Sequence, residues 1–162
     1  MKRLIVSLVI LLLGGYLAYA STISLLKDAV EKDPDNVRLR RDLADEYLRE
    51  KYFSDAVREY KIIIEKGNAD SDTVFYLAIA LFYMQDYPNA LFYADTAASM
   101  PQAQDISPLY YNIAVKTYTS GDYETALSSA LKAYKLNTKD PSIVILIGSL
   151  YFNYKQEYDT AL

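Results

Sequence analysis

Three residue types with distinctive chemistry are absent from this chain: cysteine, histidine and tryptophan. Without cysteine there is no disulfide and no thiolate nucleophile, and without histidine there is no imidazole general base. The same two absences remove the usual ligands of transition metals. Acidic residues outnumber basic ones, 21 to 17, and the net charge is −4 although residues 1–20 hold Lys2, Arg3 and no acid. A nucleic-acid partner is therefore not expected, because phosphate binding needs a basic surface.

Carboxylates are plentiful, but their pattern is not that of a catalytic site. The densest groups fit the solvated faces of helices, and they comprise Asp42, Asp45 and Glu46, then Glu65, Asp70 and Asp72. No glycine-rich phosphate loop occurs, because the pair Gly14-Gly15 lies in the N-terminal segment. The closely spaced alternating acids of a calcium loop are missing as well. We therefore expect a non-enzymatic protein with no cofactor and no bound metal.

The first 20 residues have the layout of a secretory signal peptide. Lys2 and Arg3 precede an apolar run, and the segment ends in the small-x-small sequence Ala18-Tyr19-Ala20. We expect cleavage after Ala20 and a mature chain in the periplasm of a bacterium or outside the cell. The alternative is an uncleaved inner-membrane anchor, since the 17 residues from Leu4 to Ala20 are at the lower limit for a membrane span.

One seven-residue phrase recurs four times in the rest of the chain. It reads KYFSDAV at 51–57, QDYPNAL at 85–91, GDYETAL at 121–127 and QEYDTAL at 156–162. The copies start 34, 36 and 35 residues apart. A period of this size indicates an array of stacked supersecondary units.

Each unit has the pattern of two helices joined by the phrase. In the first unit, apolar residues at three- and four-residue steps mark a first helix: Leu39, Leu43, Ala44, Tyr47 and Leu48. A second stripe marks the helix that follows: Ala56, Val57, Tyr60, Ile63 and Ile64. Ser54 is predicted to cap this second helix, and in the next unit Pro88 lies at the corresponding helix start.

Small and aromatic residues recur in phase with the units. The small positions are Ala44, Ala78, Ala114 and Gly148 on the first helices and Ala56, Ala90, Ala126 and Ala161 on the second helices. We expect the two helices of each unit to approach closely there, because a methyl group or hydrogen lets the ridges interlock. An aromatic ring at or beside each turn is predicted to fill the gap between hairpins: Tyr52, Tyr87, Tyr123 and Tyr158.

The repeated pattern resembles the tetratricopeptide repeat (TPR) family, in its secreted or periplasmic bacterial type. The resemblance is carried by LADEYLREKYFSDAVREY, LAIALFYMQDYPNALFYA and NIAVKTYTSGDYETALSSALKA. It implies an all-α fold, a right-handed α-solenoid of helical hairpins preceded by a signal-peptide helix. The expected organisation is a signal peptide (1–20), an N-terminal half-repeat or cap (21–36), three repeats (37–70, 71–106 and 107–140) and an incomplete fourth repeat (141–162).

The resemblance also nominates a binding surface, because in the family the first helices line the concave side of the solenoid. The implied partner-binding residues are Arg38, Arg41, Asp45, Arg49, Phe75, Ile79, Phe82, Tyr83, Tyr111, Asn112, Val115 and Tyr118, followed by Ile145, Ser149 and Phe152 in the fourth repeat. Phe75 and Tyr111 are equally compatible with a groove and with the core. The Lys/Asn clamp that some members use for C-terminal carboxylates is matched only in fragments, and Asp45 would repel a carboxylate.

Two functional classes fit these features. The first is a scaffold or adaptor of the bacterial envelope that binds a peptide or helix of a partner protein in the concave aromatic groove. The second is a structural subunit that self-assembles through its open C-terminal repeat face. A glycan binder that uses exposed tyrosines is a third, weaker option. Membrane contact is expected only through residues 1–20, if they are not cleaved.

The fourth copy of the phrase has its own prediction. QEYDTAL is expected to form the turn and the opening of a second helix, after a first helix over residues 142–154. Too little of that second helix follows for it to cover the first. We therefore expect the chain to be a piece of a longer protein, or a second molecule to supply the missing helix. The predicted self-association residues are Val144, Ile147, Tyr151 and Phe152.

Overall fold

The structure, a computed structural model, describes residues 22–160. Within that range the chain forms eight helices and no strand, so the all-α prediction is confirmed. The helices are α1 (residues 22–32), α2 (Val37–Arg49), α3 (Phe53–Glu65), α4 (Ser71–Tyr83), α5 (Tyr87–Ser99), α6 (Ser107–Thr119), α7 (Tyr123–Leu136) and α8 (Pro141–Thr160). The predicted signal peptide, its cleavage site and Ala161 lie outside the described residues. None of the eight helices is long and apolar enough to cross a membrane.

The chain divides between Ala69 and Asp70 into two compact units. The first contains α1 to α3, and its α2 and α3 pack as a hairpin. The second contains the hairpins α4–α5 and α6–α7, followed by α8, which packs on α7 and α6. Each hairpin joins a first and a second helix across one copy of the repeated phrase.

The turn inside each hairpin is built the same way three times. Its first residue adopts a left-handed backbone, with φ of 64° at Lys51, 63° at Gln85 and 85° at Gly121. The next amide then donates to a carbonyl near the end of the first helix, as from Asp122 N to Thr117 O at 2.9 Å. This satisfies carbonyls that the helix end leaves free. In these three copies the phrase therefore ends the first helix and forms the turn of the hairpin.

Four helices begin at a side-chain cap, whereas α3 and α6 do not, and α3 corrects a prediction. Asn36, Asp70, Asp86 and Asp122 each accept a hydrogen bond from the backbone N–H three residues on, and so cap α2, α4, α5 and α7. The prediction that Ser54 caps α3 is wrong. That helix already begins at Phe53, and the residue before it, Tyr52, makes no capping hydrogen bond through its side chain.

The small residues mark where the helices of a hairpin meet. Ala44, Ala78 and Ala114 on the first helices are fully buried, as are Ala56, Ala90 and Ala126 on the second helices. The turn rings pack on the end of their own first helix: Tyr87 lies 5.9 Å from Phe82, and Tyr123 lies 5.7 Å from Tyr118, between ring centroids. Tyr87 and Tyr123 are half-buried, so they pack within their own hairpin at the edge of its core.

In the first unit, one buried ion pair replaces apolar packing. Nη1 of Arg40 donates to the Glu59 carboxylate at 2.6 Å, and Nη2 of Arg40 donates to the carbonyl of Pro34 at 3.0 Å. Both charged side chains are buried, so removal of either one leaves an uncompensated charge. The ammonium of Lys66 also contacts Asp35, which lowers the pKa of that carboxyl through a hydrogen bond and charge attraction. These contacts hold the segment before α2 against α3.

The predicted turn in the fourth copy of the phrase is wrong. The helix α8 continues through it to Thr160, so the segment from Gln156 is helical where the earlier copies break. A left-handed backbone at Gln156 would be strained, and the continued helix avoids that strain. In the earlier copies a complete second helix follows the turn and buries its alanines against the first helix.

Candidate functional site

The residues nominated for partner binding all lie outside the buried core. Those that are exposed are Arg38, Asp45, Arg49, Tyr83 and Asn112. Those that are half-buried are Arg41, Phe75, Ile79, Phe82, Tyr111, Val115 and Tyr118. They are divided between the two units, with the charged residues on α2 and the aromatic residues on α4 and α6.

The charged set in the first unit is largely occupied by contacts inside that unit. Asp45 accepts a hydrogen bond from the Tyr60 hydroxyl at 2.6 Å. Arg49 forms an ion pair with the buried carboxylate of Glu46. A cavity of about 310 Å³ between α1 and α2 is lined by Leu26, Asp42, Asp45, Glu46 and Arg49. Because its lining is mostly acidic and internally paired, this cavity is a weak candidate for binding.

The end of α4 carries a cluster of three aromatic rings in the second unit. The Phe82 ring lies 5.4 Å from Tyr83 and 5.9 Å from Tyr87, measured between centroids. Phe82 and Tyr87 are half-buried, whereas Tyr83 is 56% exposed. Tyr83 is held out by its position at the last turn of the helix, immediately before the left-handed turn residue Gln85. The Tyr83 ring is therefore largely accessible to solvent and packs on the half-buried Phe82 ring.

A cavity of about 460 Å³ opens beside this cluster, and we call it the turn cavity. Its lining combines rings, hydroxyls, an amide and an ammonium group from Phe82, Tyr83, Gln85, Tyr87, Lys116, Thr119 and Ser120. Lys116 has no ion-pair partner among the residues that the structure describes. Rings with a few polar groups at this volume are typical of binding pockets.

Only two residues of the turn cavity, Phe82 and Tyr83, belong to the predicted set. The prediction used the exposed arc of the first helices alone, so it missed Tyr87, which belongs to a second helix. It also missed Lys116, Thr119 and Ser120 at the end of α6. The recurring aromatic residue beside each turn was the available signal, because a left-handed turn brings this ring back to the first helix.

The aromatic residues of α6 are shared between the surface and the core. Tyr111, Val115 and Tyr118 are half-buried and pack against a cluster formed by Ala114, Ala126, Ala130, Leu146 and Leu150. The Tyr118 hydroxyl also accepts a hydrogen bond from Asn153 of α8 at 2.6 Å. Tyr118 therefore joins α6 to α8, and its removal would disturb packing as well as any binding surface.

A second cavity, of about 320 Å³, lies where α5, α6 and α7 meet, and its polar groups satisfy one another. The Tyr110 hydroxyl donates to Asp95 at 2.6 Å, and the Lys132 ammonium donates to the same carboxylate at 2.6 Å and 2.8 Å. Burial, followed by the interaction with Asp95, raises the pKa of the Tyr110 hydroxyl. This arrangement locks three helices together. No group of potential metal ligands occurs among the described residues.

The predicted self-association residues lie on α8. Val144, Tyr151 and Phe152 are 51%, 55% and 63% exposed, and Ile147 is half-buried against the cluster that contains Ala114. Ile145 is exposed as well. The helix thus has one face in the core and a broad apolar face toward solvent.

No family model matches the sequence, and no curated protein does either. Solved structures, in contrast, are similar over most of the chain. A crystal structure of MamA superposes with a TM-score of 0.68 at 18% identity, covering 85% of this chain and 79% of MamA. YrrB, described as a TPR protein with an unusual peptide-binding site, superposes with a TM-score of 0.65 at 16% identity, covering 93% of this chain and 76% of YrrB. The C-terminal part of a TPR repeat-containing protein from Cytophaga hutchinsonii superposes with a TM-score of 0.64 at 19% identity, covering 89% of this chain and 56% of that chain. The recurring hairpins and these likenesses together show that the chain has the α-solenoid fold of tetratricopeptide-repeat proteins.

Proposed function

We propose that this chain is a protein-interaction scaffold, with the turn cavity and the adjoining rings of α4 as its binding site for a segment of a partner protein. The observation that carries the proposal is the exposed Tyr83 ring beside a cavity lined by the Lys116 ammonium group, which has no ion-pair partner in the part of the chain that the structure describes. Tyrosine offers a large contact area at low entropic cost, and it is enriched in interfaces. The fold likeness to YrrB, a TPR protein with a peptide-binding site, supports this choice.

The lining of the turn cavity indicates the chemistry of the bound segment. Three rings favour a large apolar or aromatic side chain, which would be removed from water on binding. Lys116 and Gln85 would donate hydrogen bonds to acceptors beside that side chain. The hydroxyls of Thr119 and Ser120 already donate to backbone carbonyls of α6, at 2.8 Å and 2.9 Å, so they would act as acceptors. We therefore expect short peptides in which an aromatic residue is followed by polar acceptors.

The binding experiment uses peptides selected from a random displayed library against the full chain. Affinity is then measured for the chain and for Tyr83→Ala, Lys116→Ala and Phe92→Ala. Phe92 is a matched control, because it is 62% exposed on α5 and also contacts one neighbouring ring. We expect Tyr83→Ala to weaken binding about tenfold or more, which corresponds to a lost interface anchor. Equal affinity for Tyr83→Ala, or a larger loss for Phe92→Ala, would contradict the proposed site.

We further propose that the scaffold acts in the bacterial envelope. The support is the N-terminal sequence, in which a basic start, an apolar run and Ala18-Tyr19-Ala20 match a secretory signal. We expect the intact mass of protein recovered from a periplasmic fraction to match a chain that begins at Ser21. A mass that still includes residues 1–20 would instead favour the anchored form.

A further inference from the structure

One face of α8 is exposed where the other first helices are covered. Each earlier first helix packs on the second helix of its own hairpin, and three positions on each are buried: Arg40, Ala44 and Tyr47; Val74, Ala78 and Leu81; Tyr110, Ala114 and Thr117. The corresponding positions in α8 are Val144, Gly148 and Tyr151, each 34 residues beyond the α6 set. All three are exposed, and a Cβ atom at Gly148 would meet nothing within 4 Å. We call this surface the open face of α8.

The covered faces show what an occupant of the open face must offer. In each hairpin the covering helix presents a fully buried alanine, which allows the two helix axes to come close. A helix that covers α8 therefore needs a small residue opposite Gly148 and apolar residues on either side. The open face itself has this pattern, with Val144 and Tyr151 flanking Gly148.

Charge also favours a pair of identical helices. From Pro141 to Asn153, α8 contains no Asp, Glu, Lys or Arg. Two copies of this segment can therefore pack without bringing like charges together or burying an unpaired charge. The second helices α3 and α7 differ in this respect, since each carries several charged residues.

We infer that a second copy of this chain covers the open face, with the two α8 helices antiparallel about a two-fold axis near Gly148. Such a contact is self-complementary, so the same patch serves on both copies. Gly148 of each copy then meets the other at the closest approach, and Val144 of one copy packs near Tyr151 of the second. The contact extends the helix-on-helix packing of the hairpins, and it uses none of the residues of the turn cavity.

The first test traps the contact covalently. The chain has no cysteine, so Gly148→Cys introduces a single thiol. A disulfide forms only when the two Cα atoms lie within about 7 Å, as an axis near residue 148 requires. We expect the full-length Gly148→Cys chain to form a covalent dimer rapidly under mild oxidation. Ser128→Cys is the matched control, because Ser128 is an exposed helical position on α7, away from the open face.

The second test blocks the contact without damage to the subunit. Gly148→Leu adds a side chain that meets open space in one copy but fills the position of closest approach between two copies. Sedimentation equilibrium should show a concentration-dependent dimer for the unaltered chain and for Ser128→Leu, with dimerisation weakened about tenfold or more in Gly148→Leu. All three chains share the same N-terminus, so any association through residues 1–20 contributes equally.

Either of two results would overturn the inference. One is an unaltered chain that remains monomeric over the micromolar range. The other is a dimer that persists in Gly148→Leu while Gly148→Cys crosslinks no faster than Ser128→Cys, since the copies would then meet through a different surface.

Discussion

The third hairpin and α8 have closely similar patterns and different structures. In the hairpin, GDYETAL breaks the chain at Gly121, and α7 folds back over α6. In α8, QEYDTAL is preceded by a first helix of the same type, yet the helix continues to Thr160. Tyr110, Ala114 and Thr117 are consequently buried, whereas Val144, Gly148 and Tyr151 are exposed. The difference shows that the phrase is compatible with a turn in one place and with a continuous helix in another.

The largest expected difference between the two regions concerns a pair of isoleucines. Ile113 is fully buried in α6, and its counterpart Ile147 is only half-buried in α8. Ile113→Ala should lower the free energy of unfolding by about 2–5 kcal/mol, because it leaves a cavity that cannot close completely. Ile147→Ala should cost about 1 kcal/mol, since solvent already reaches that side chain. Urea unfolding followed by far-UV circular dichroism measures both, and equal losses would mean that α8 is covered as fully as α6.

Replacing the small residue of each region by leucine tests how closely a second helix packs on Ala114 and on Gly148. Ala114→Leu should destabilise the chain by about 1–3 kcal/mol, because the added atoms have no space between α6 and α7. Gly148→Leu should instead stabilise the isolated subunit by up to about 1 kcal/mol, since leucine is a better helix former and the site is open. The measurement requires a protein concentration low enough to keep the chain monomeric. A destabilised Gly148→Leu monomer would show that another part of the chain packs on the open face.

The smallest expected difference lies within the repeated phrase itself. Asp122 accepts a hydrogen bond from Thr125 N and caps α7, so Asp122→Ala should cost about 1 kcal/mol. Glu157 has the equivalent place in QEYDTAL, but the backbone there is in the interior of a helix. Glu157→Ala should therefore change the free energy of unfolding by less than about 0.5 kcal/mol. A cost at Glu157 as large as that at Asp122 would indicate a second helix that begins there in solution.

Much of the secondary structure could be predicted because it depends on local pattern. Apolar residues at three- and four-residue steps predicted the first and second helices, and the alanines predicted where they meet. The start of α3 was less predictable, because capping propensity alone favoured Ser54 while the turn geometry begins the helix one residue earlier. The twelve nominated binding residues remain a prediction, and the structure places all of them outside the buried core.

The turn cavity was harder to predict, since its residues come from two separate stretches of the chain, 82–87 and 116–120. Phe82 and Tyr83 end α4, Gln85 is in the turn, Tyr87 begins α5, and Lys116 lies on α6. Their proximity follows from the positive φ at Gln85 and from the packing of α5 on α6, neither of which is visible as helical periodicity. The hydrogen bond between Tyr118 and Asn153 of α8 likewise depends on the packing of separate helices, which helical periodicity does not reveal.

By itself, the sequence determined the class of fold, the repeat period and the faces that pack, because these depend on residue size and apolar spacing along one helix. Tertiary structure alone decided which copies of the phrase become turns and which rings gather around a cavity. The reason is that a left-handed turn is strained, so contacts between helices that are distant in sequence, and not the local pattern, select between turn and helix. The same phrase therefore ends α6 at Gly121 and continues α8 past Gln156.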